Sequence, residues 1–216
     1  MFVPPLYRPT RESDLRDFVR AYPFALLVTG GADGGPPLAT HLPVVLGDPP
    51  AALVGDIVFG HCNRMNPQFL ALTPNTPALL VFSGPSAYVS PTVYGGTGPL
   101  APTWDYAAVH LTGRATPLAA GADTLAVVRR TVATFERDLG HGWSDAESLD
   151  YFDQLLPGVG AFWFEVTGAD GMFKLSQEKP DAIRDRVVEE TLAAPSGCAR
   201  DLGRVLREHR CRETGV

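Results

Sequence analysis

Phe24-Ala25-Leu26-Leu27-Val28-Thr29, Gly30-Gly31-Ala32-Asp33-Gly34-Gly35 and Leu38-Ala39-Thr40-His41-Leu42-Pro43-Val44-Val45-Leu46 read as strand, glycine-rich turn and strand. Two such runs joined by so short a link form a hairpin, which predicts an antiparallel sheet. The glycine run lacks the Lys-Ser/Thr pair of a phosphate loop and the spacing of a dinucleotide fingerprint, so it is read as a turn. Thr40 and His41 alternate faces, so only one of them can point into a given pocket, and the preferred reading of His41 is structural.

Working outward, a turn at Gly47-Asp48-Pro49-Pro50 leads into Ala51 to Phe59, read as a buried strand that extends the meander. It ends on Phe59-Gly60-His61-Cys62-Asn63-Arg64-Met65-Asn66-Pro67-Gln68-Phe69, where the chain's polar chemistry is most concentrated. Asn66 and Pro67 predict the cap and first residue of a helix, whose N-terminus would favour an anion. A neutral imidazole at His61 is a competent ligand for iron or zinc. A histidine hydrogen-bonded to a neighbouring carbonyl is the alternative, and the spacing does not separate the two. Cys62 is a rival ligand, but strand alternation turns it away from the face of His61 and favours a small buried residue.

Ala78–Phe82 and Ala87–Pro91 are read as strands around a turn at Ser83-Gly84-Pro85, followed by a loop over 92–102 of a length that is usually functional or mobile. Thr103 to Gly113 predicts a strand with Trp104, Tyr106, Ala108 and His110 on one face. That face suits the wall of a ring-shaped cofactor, or else a core face holding one satisfied histidine. Helices are expected over 10–22, 123–139 and from the Ser144 capping-box pattern through Leu156. Val159–Val166 is the last strong strand, running through Gly168-Ala169-Asp170-Gly171 into Met172–Pro180, where Lys174 and Gln177 are placed to anchor a negatively charged ligand group. From Asp181 the chain is helical with interleaved charges, the pattern of a solvated face, and breaks at Pro195-Ser196-Gly197.

The 216 residues are 45% hydrophobic, enough for one sizeable core with a helical appendage. A formal charge of -6 argues against a nucleic-acid surface. Cys62, Cys198 and Cys211 form no CxxC pair or even set, which predicts neither a disulfide framework nor a structural zinc site and fits a reducing cytoplasm. Neither a signal-peptide layout nor a membrane-length apolar run is seen, so a soluble protein is expected, with no membrane partner.

Met1-Phe2-Val3-Pro4, Ala39–Pro43, Gly60-His61 with Asn66-Pro67, Gly84-Pro85 with Ala87–Pro91, Pro102–Tyr106 with Val109-His110, and Phe173–Gln177 together resemble the PaiB-type split-barrel proteins. The resemblance runs to about Lys179. It implies an α+β fold: an antiparallel split β-barrel related to pyridoxamine-phosphate-oxidase-like flavoproteins, with peripheral helices, a cofactor near the subunit interface, and a homodimer. It also implies a barrel domain over 1–180 and a helical extension over 181–216. The usual pattern carries a tryptophan before the tyrosine after Ser-Pro and a lysine shortly beyond, where this chain has Val93-Tyr94-Gly95-Gly96, and Glu178-Lys179 stands where Asn-Arg is common.

Those departures are similar to the haem-dependent piperazate synthase branch, as are Gly142-Trp143, Ser148–Phe152, Leu156–Phe162 and Asp170–Glu178. Here the resemblance implies haem b with His61 as axial ligand, FMN being the alternative, and N5-hydroxy-L-ornithine as substrate. It offers Thr40, Arg64, Asn66, Trp104, Lys174 and Gln177 for binding the cofactor. Tyr94, His110 and Lys174 are the candidates for proton transfer, and Arg64 and Lys174 for holding carboxylates. A DNA-binding regulator is the least favoured reading, since neither a basic face nor a recognition helix is visible.

Overall fold

A computed structural model describes residues 1–31, 34–47, 52–96 and 98–214. Six strands, β1 (Phe24–Thr29), β2 (Leu38–Leu46), β3 (Ile57–Asn63), β4 (Thr76–Val89), β5 (Thr103–Pro117) and β6 (Val159–Lys174), close into an antiparallel barrel in the order β1-β2-β3-β6-β5-β4. The helices are α1 (Glu12–Ala21), α2 (Pro67–Leu70), α3 (Ala122–Asp138), α4 (Leu149–Leu155), α5 (Asp181–Ala193) and α6 (Gly197–Thr214). Among the described residues, no helix is long and apolar enough to cross a membrane.

The chain forms two compact units. The larger comprises residues 11–82 and 110–170. β1 pairs with β2 from Phe24↔Pro43 to Thr29↔Leu38, and with β4 from Leu26↔Val81 to Thr29↔Ala78. β3 pairs with β2 and, along its whole length, with β6. Strand alternation sends Ala25, Leu27, Leu42, Val44, Val58, Leu80, Phe82, Leu111, Phe162 and Phe164 inward, each at most 2% exposed. α1 starts where the Arg11 guanidinium pairs with Asp14 at 2.6 Å and the Arg11 amide donates to the same carboxylate. A buried ion pair fastens it: Arg16 Nη2 donates to Asp56 Oδ2 at 2.8 Å, while Asp56 Oδ1 accepts from the Ile57 amide.

The smaller unit comprises residues 1–10, 83–109 and 171–216. Ala87, Val89, Tyr94, Leu175, Val187, Leu202 and Leu206 make its core, with α5 packed on α6 and on the 3-10 turn Pro91–Tyr94. A boundary at 180/181 coincides with neither unit, because the helices of 181–216 share this core with the ends of the long strands.

The structure corrects several sequence readings. The strand expected over 51–59 is β3, beginning only at Ile57 and carrying His61 within it; residue 51 lies outside the described residues, as do 48–50 of the preceding turn and 32–33 of the hairpin turn. Ser83-Gly84-Pro85 is not a turn, for β4 runs unbroken through it, and β6 likewise continues through Gly168–Gly171. No capping box forms at Ser144, whose hydroxyl accepts from the Ala146 amide instead, and α4 starts at Leu149. Trp104, Tyr106, Ala108 and His110 do share a face of β5, but it is the outward, partly exposed one. Asp105, Ala107, Val109 and Leu111 are the buried set, so the core-face reading is excluded.

Candidate functional site

The pleat of β3 decides where His61 points. Gly60 faces the interior, where a Cβ would stand 2.6 Å from Phe162 Cζ and 3.2 Å from Leu42 Cδ1. His61 is therefore on the opposite face, across from the small side chain of Ala161. Its ring is partly buried, Nδ1 is buried without a hydrogen-bond partner among the described residues, and burial lowers its pKa below the ordinary 6.5. A neutral imidazole with an unclaimed ring nitrogen is what an axial haem ligand requires. Among the described residues, no three His, Cys, Asp or Glu side chains group as a metal cage.

Three residues on, Arg64 has a buried Nη1 with no partner among the described residues, while its amide donates to the Gly158 carbonyl at 2.9 Å. An unpaired guanidinium nitrogen fits a carboxylate or phosphate of either cofactor. Asn66 behaves differently. Its Oδ1 accepts from the Gln68 amide at 2.9 Å, capping α2, and its Nδ2 donates to Thr40 Oγ1 at 2.9 Å. Asn66 and Thr40 are thus brought together and satisfy each other.

Gln68, which the sequence reading left without a role, is 3% exposed and donates from Nε2 to Leu27 O, Thr29 Oγ1 and Leu38 O. It fixes the His61–Gln68 turn to β1 and β2; a glutamine inside a capped apolar turn was the available signal. Cys62 is partly buried, and burial pushes its thiol pKa up, away from the thiolate an iron would need. His41 is exposed and stacks on Phe24 at 5.8 Å. His110 is partly buried, with its pKa lowered by burial.

In the smaller unit, the Lys174 ammonium donates to Thr103 Oγ1 and to the Trp104 carbonyl, and the Trp104 indole, 54% exposed, lies edge-on to Tyr88. Gln177 is spent on its own loop: Oε1 accepts from the Leu175 amide at 2.6 Å and Nε2 donates to the Phe173 carbonyl. It therefore offers a ligand little. Tyr94 is buried with its hydroxyl unpartnered among the described residues, and burial, then Asp105 and Glu178, raise its pKa. Lys179 sits 4.5 Å from its ring centre, and Arg186 donates to its carbonyl. Asp105, overlooked in the sequence, is fully buried, bonded to Ser176 and pushed up to about 6, chiefly by burial.

Residues 1–168 match the family described as "Putative FMN-binding domain". The chain belongs to this family. The chain is 29% identical over 194 residues to the Bacillus subtilis protein named protease synthase and sporulation protein PAI 2, across 88% of each, which bears out the PaiB-type resemblance. Among solved structures, the FAD and haem binding protein of Mycobacterium smegmatis superposes with a TM-score of 0.55 at 16% identity, covering 83% of this chain and 78% of its own. The flavocytochrome Anf3 of Azotobacter vinelandii gives 0.52 at 16%, covering 77% and 69%. At these identities the likeness is one of fold, and it identifies the barrel as a split barrel.

Proposed function

We propose that the protein is a haem-dependent piperazate synthase, converting N5-hydroxy-L-ornithine into L-piperazate by forming an intramolecular N–N bond with loss of water. The observation that carries this reading is His61, a neutral, partly buried imidazole with an unclaimed buried nitrogen on a barrel strand. It is supported by the piperazate-synthase-like runs Leu156–Phe162 and Asp170–Glu178, and by fold neighbours named for haem as well as flavin.

In this reading His61 would hold haem b through its imidazole and Arg64 would hold a carboxylate, a propionate or the substrate's own. When bound, haem would supply an electron-accepting iron. The chain's work is orientation, folding a flexible ornithine so that its α-amine meets N5. One proton must reach the departing hydroxyl and one must leave the amine, so the sum is water and no reductant is consumed. Tyr94, whose hydroxyl burial keeps protonated, suits the donor's role, His110, whose ring burial keeps neutral, suits the acceptor's, and Lys174 is a candidate to hold the substrate's carboxylate. The same reading carries a homodimer.

The second reading, an FMN-binding flavoprotein, is favoured by the family description itself. One experiment separates them: absorption spectra of the purified protein before and after hemin, alongside His61→Ala, followed by an assay with N5-hydroxyornithine. A Soret band lost in the variant and cyclisation of the substrate support the synthase. A flavin spectrum indifferent to His61 overturns it in favour of the flavoprotein.

A further inference from the structure

Asp105 is wholly buried on the inward face of β5, where a carboxylate is poorly solvated. Its Oδ2 accepts a 2.5 Å hydrogen bond from the Ser176 hydroxyl, and its Oδ1 has no partner among the described residues. The nearby cation Lys174 spends its ammonium on Thr103 Oγ1 and the Trp104 carbonyl. Glu178, Tyr94 and Tyr7 are the other titratable groups that interact with this carboxyl.

Ser176 is itself fully buried and stands at φ 60°, a left-handed conformation that costs a residue with a Cβ. Its bond to Asp105 pins it, and Gln177 and Lys179 close the turn, the Lys179 amide donating to the Ser176 carbonyl at 3.0 Å. On one side of this turn is Lys174; on the other are Glu178 and the Lys179 ammonium over the Tyr94 ring. The strained residue thus lies between two groups assigned to the reaction, and its anchor is a titratable carboxyl.

We propose that Asp105 is a positioning residue whose gain or loss of a proton sets the Ser176 turn and, through it, the placement of Lys174 and of Lys179 against Tyr94. The functional weight of this link rests on the synthase reading, which gives Lys174 and Tyr94 their roles. Ionised, the carboxylate accepts from the Ser176 hydroxyl and is repelled by the charge of Glu178; protonated, it no longer repels Glu178 and its grip on the hydroxyl weakens. Burial and Glu178 push the carboxyl up to about 6 against the pull of Ser176 and Lys174, which brings the change into a physiological range.

The test is an NMR titration of the full chain from pH 4 to 8, following labelled aspartate carboxyls and the backbone amides of residues 173–179. The expected result is one carboxyl with a midpoint near 6, absent in Asp105→Asn, and amides of Leu175, Ser176 and Gln177 that move with the same midpoint in the wild type and stay still in the variant. Ser176→Ala, which keeps the carboxyl, is expected to raise that midpoint, because the lost bond favours the ionised form. Amides that do not move, that move unchanged in Asp105→Asn, or a midpoint unaffected by Ser176→Ala overturn the proposal. The titration needs neither haem nor substrate, so it succeeds or fails independently of the spectrum that tests the synthase.

Discussion

Asn66 donates from Nδ2 to Thr40 Oγ1 at 2.9 Å while its Oδ1 caps α2 through the Gln68 amide, so one side chain ties β2 to the turn that follows His61. Asn66→Ala removes both bonds and is expected to cost about 1–3 kcal/mol. Asn66→Asp keeps the cap and lets the Thr40 hydroxyl turn and donate to the carboxylate, so it costs little, while Thr40→Val loses the bridge alone, costing about 1 kcal/mol. Thermal melts are expected to give the stability order wild type, then Asn66→Asp, then Thr40→Val, then Asn66→Ala. Cofactor binding should follow stability; a Thr40→Val variant of full stability that bound no cofactor would return this pair to the binding site.

Gly60→Ala tests what orients His61. The new Cβ would meet Phe162 Cζ at 2.6 Å, and Phe162 is fully buried, with little freedom to retreat. Overpacking of this kind costs about 1–3 kcal/mol. The expected result is a melting temperature lowered by about 2–10 °C together with weaker hemin binding. An unchanged melt would mean that Phe162 has room to shift and that the glycine is not what sets the strand's face.

The sequence made β1 and β2 legible to the residue, because alternation of apolar side chains and glycine punctuation agree there. The Asn66-Pro67 helix start was legible for the same reason. Ser83-Gly84-Pro85 misled, since its local turn preference yields to pairing within a barrel of long strands. Which face of β5 is buried was not legible, because alternation identifies two faces without saying which is inward. The overlooked signal was Asp105, an acid heading the inward series Ala107, Val109 and Leu111. His61 was legible as chemistry, but its unclaimed nitrogen is a property of packing that no spacing encodes.

Asp105 gives a stability prediction with a definite sign. Its folded carboxyl is raised from 3.8 to about 6, so its contribution to stability is fully present below the unfolded value and is lost as pH rises through about 6. At neutral pH the buried charge then costs up to roughly 3 kcal/mol. Asp105→Asn, which can still accept from Ser176, is expected to be more stable than wild type at pH 7 and less different at pH 4. Urea denaturation at both values checks this, and an Asn variant less stable at pH 7 would mean that the carboxylate is better solvated or paired than its surroundings indicate.

His61 makes the opposite prediction. Burial lowers its pKa, so the folded state resists protonation, and the stability that depends on a neutral ring is complete above the ordinary 6.5 and falls as pH drops through the folded value. A proton also competes with iron for the ring nitrogen, so hemin affinity should decline over the same acid range. His61→Gln should flatten this acid fall in stability and abolish the Soret shift on hemin addition at every pH. The measurements are melts of apo protein and hemin titrations between pH 5 and 8, each compared with the variant. Because Asp105 changes stability in the opposite direction between about 4 and 6, the His61 effect has to be read from the difference between wild type and His61→Gln. A wild-type hemin affinity that held constant down to pH 5 would separate haem binding from this imidazole and move the search for the ligand elsewhere in the chain.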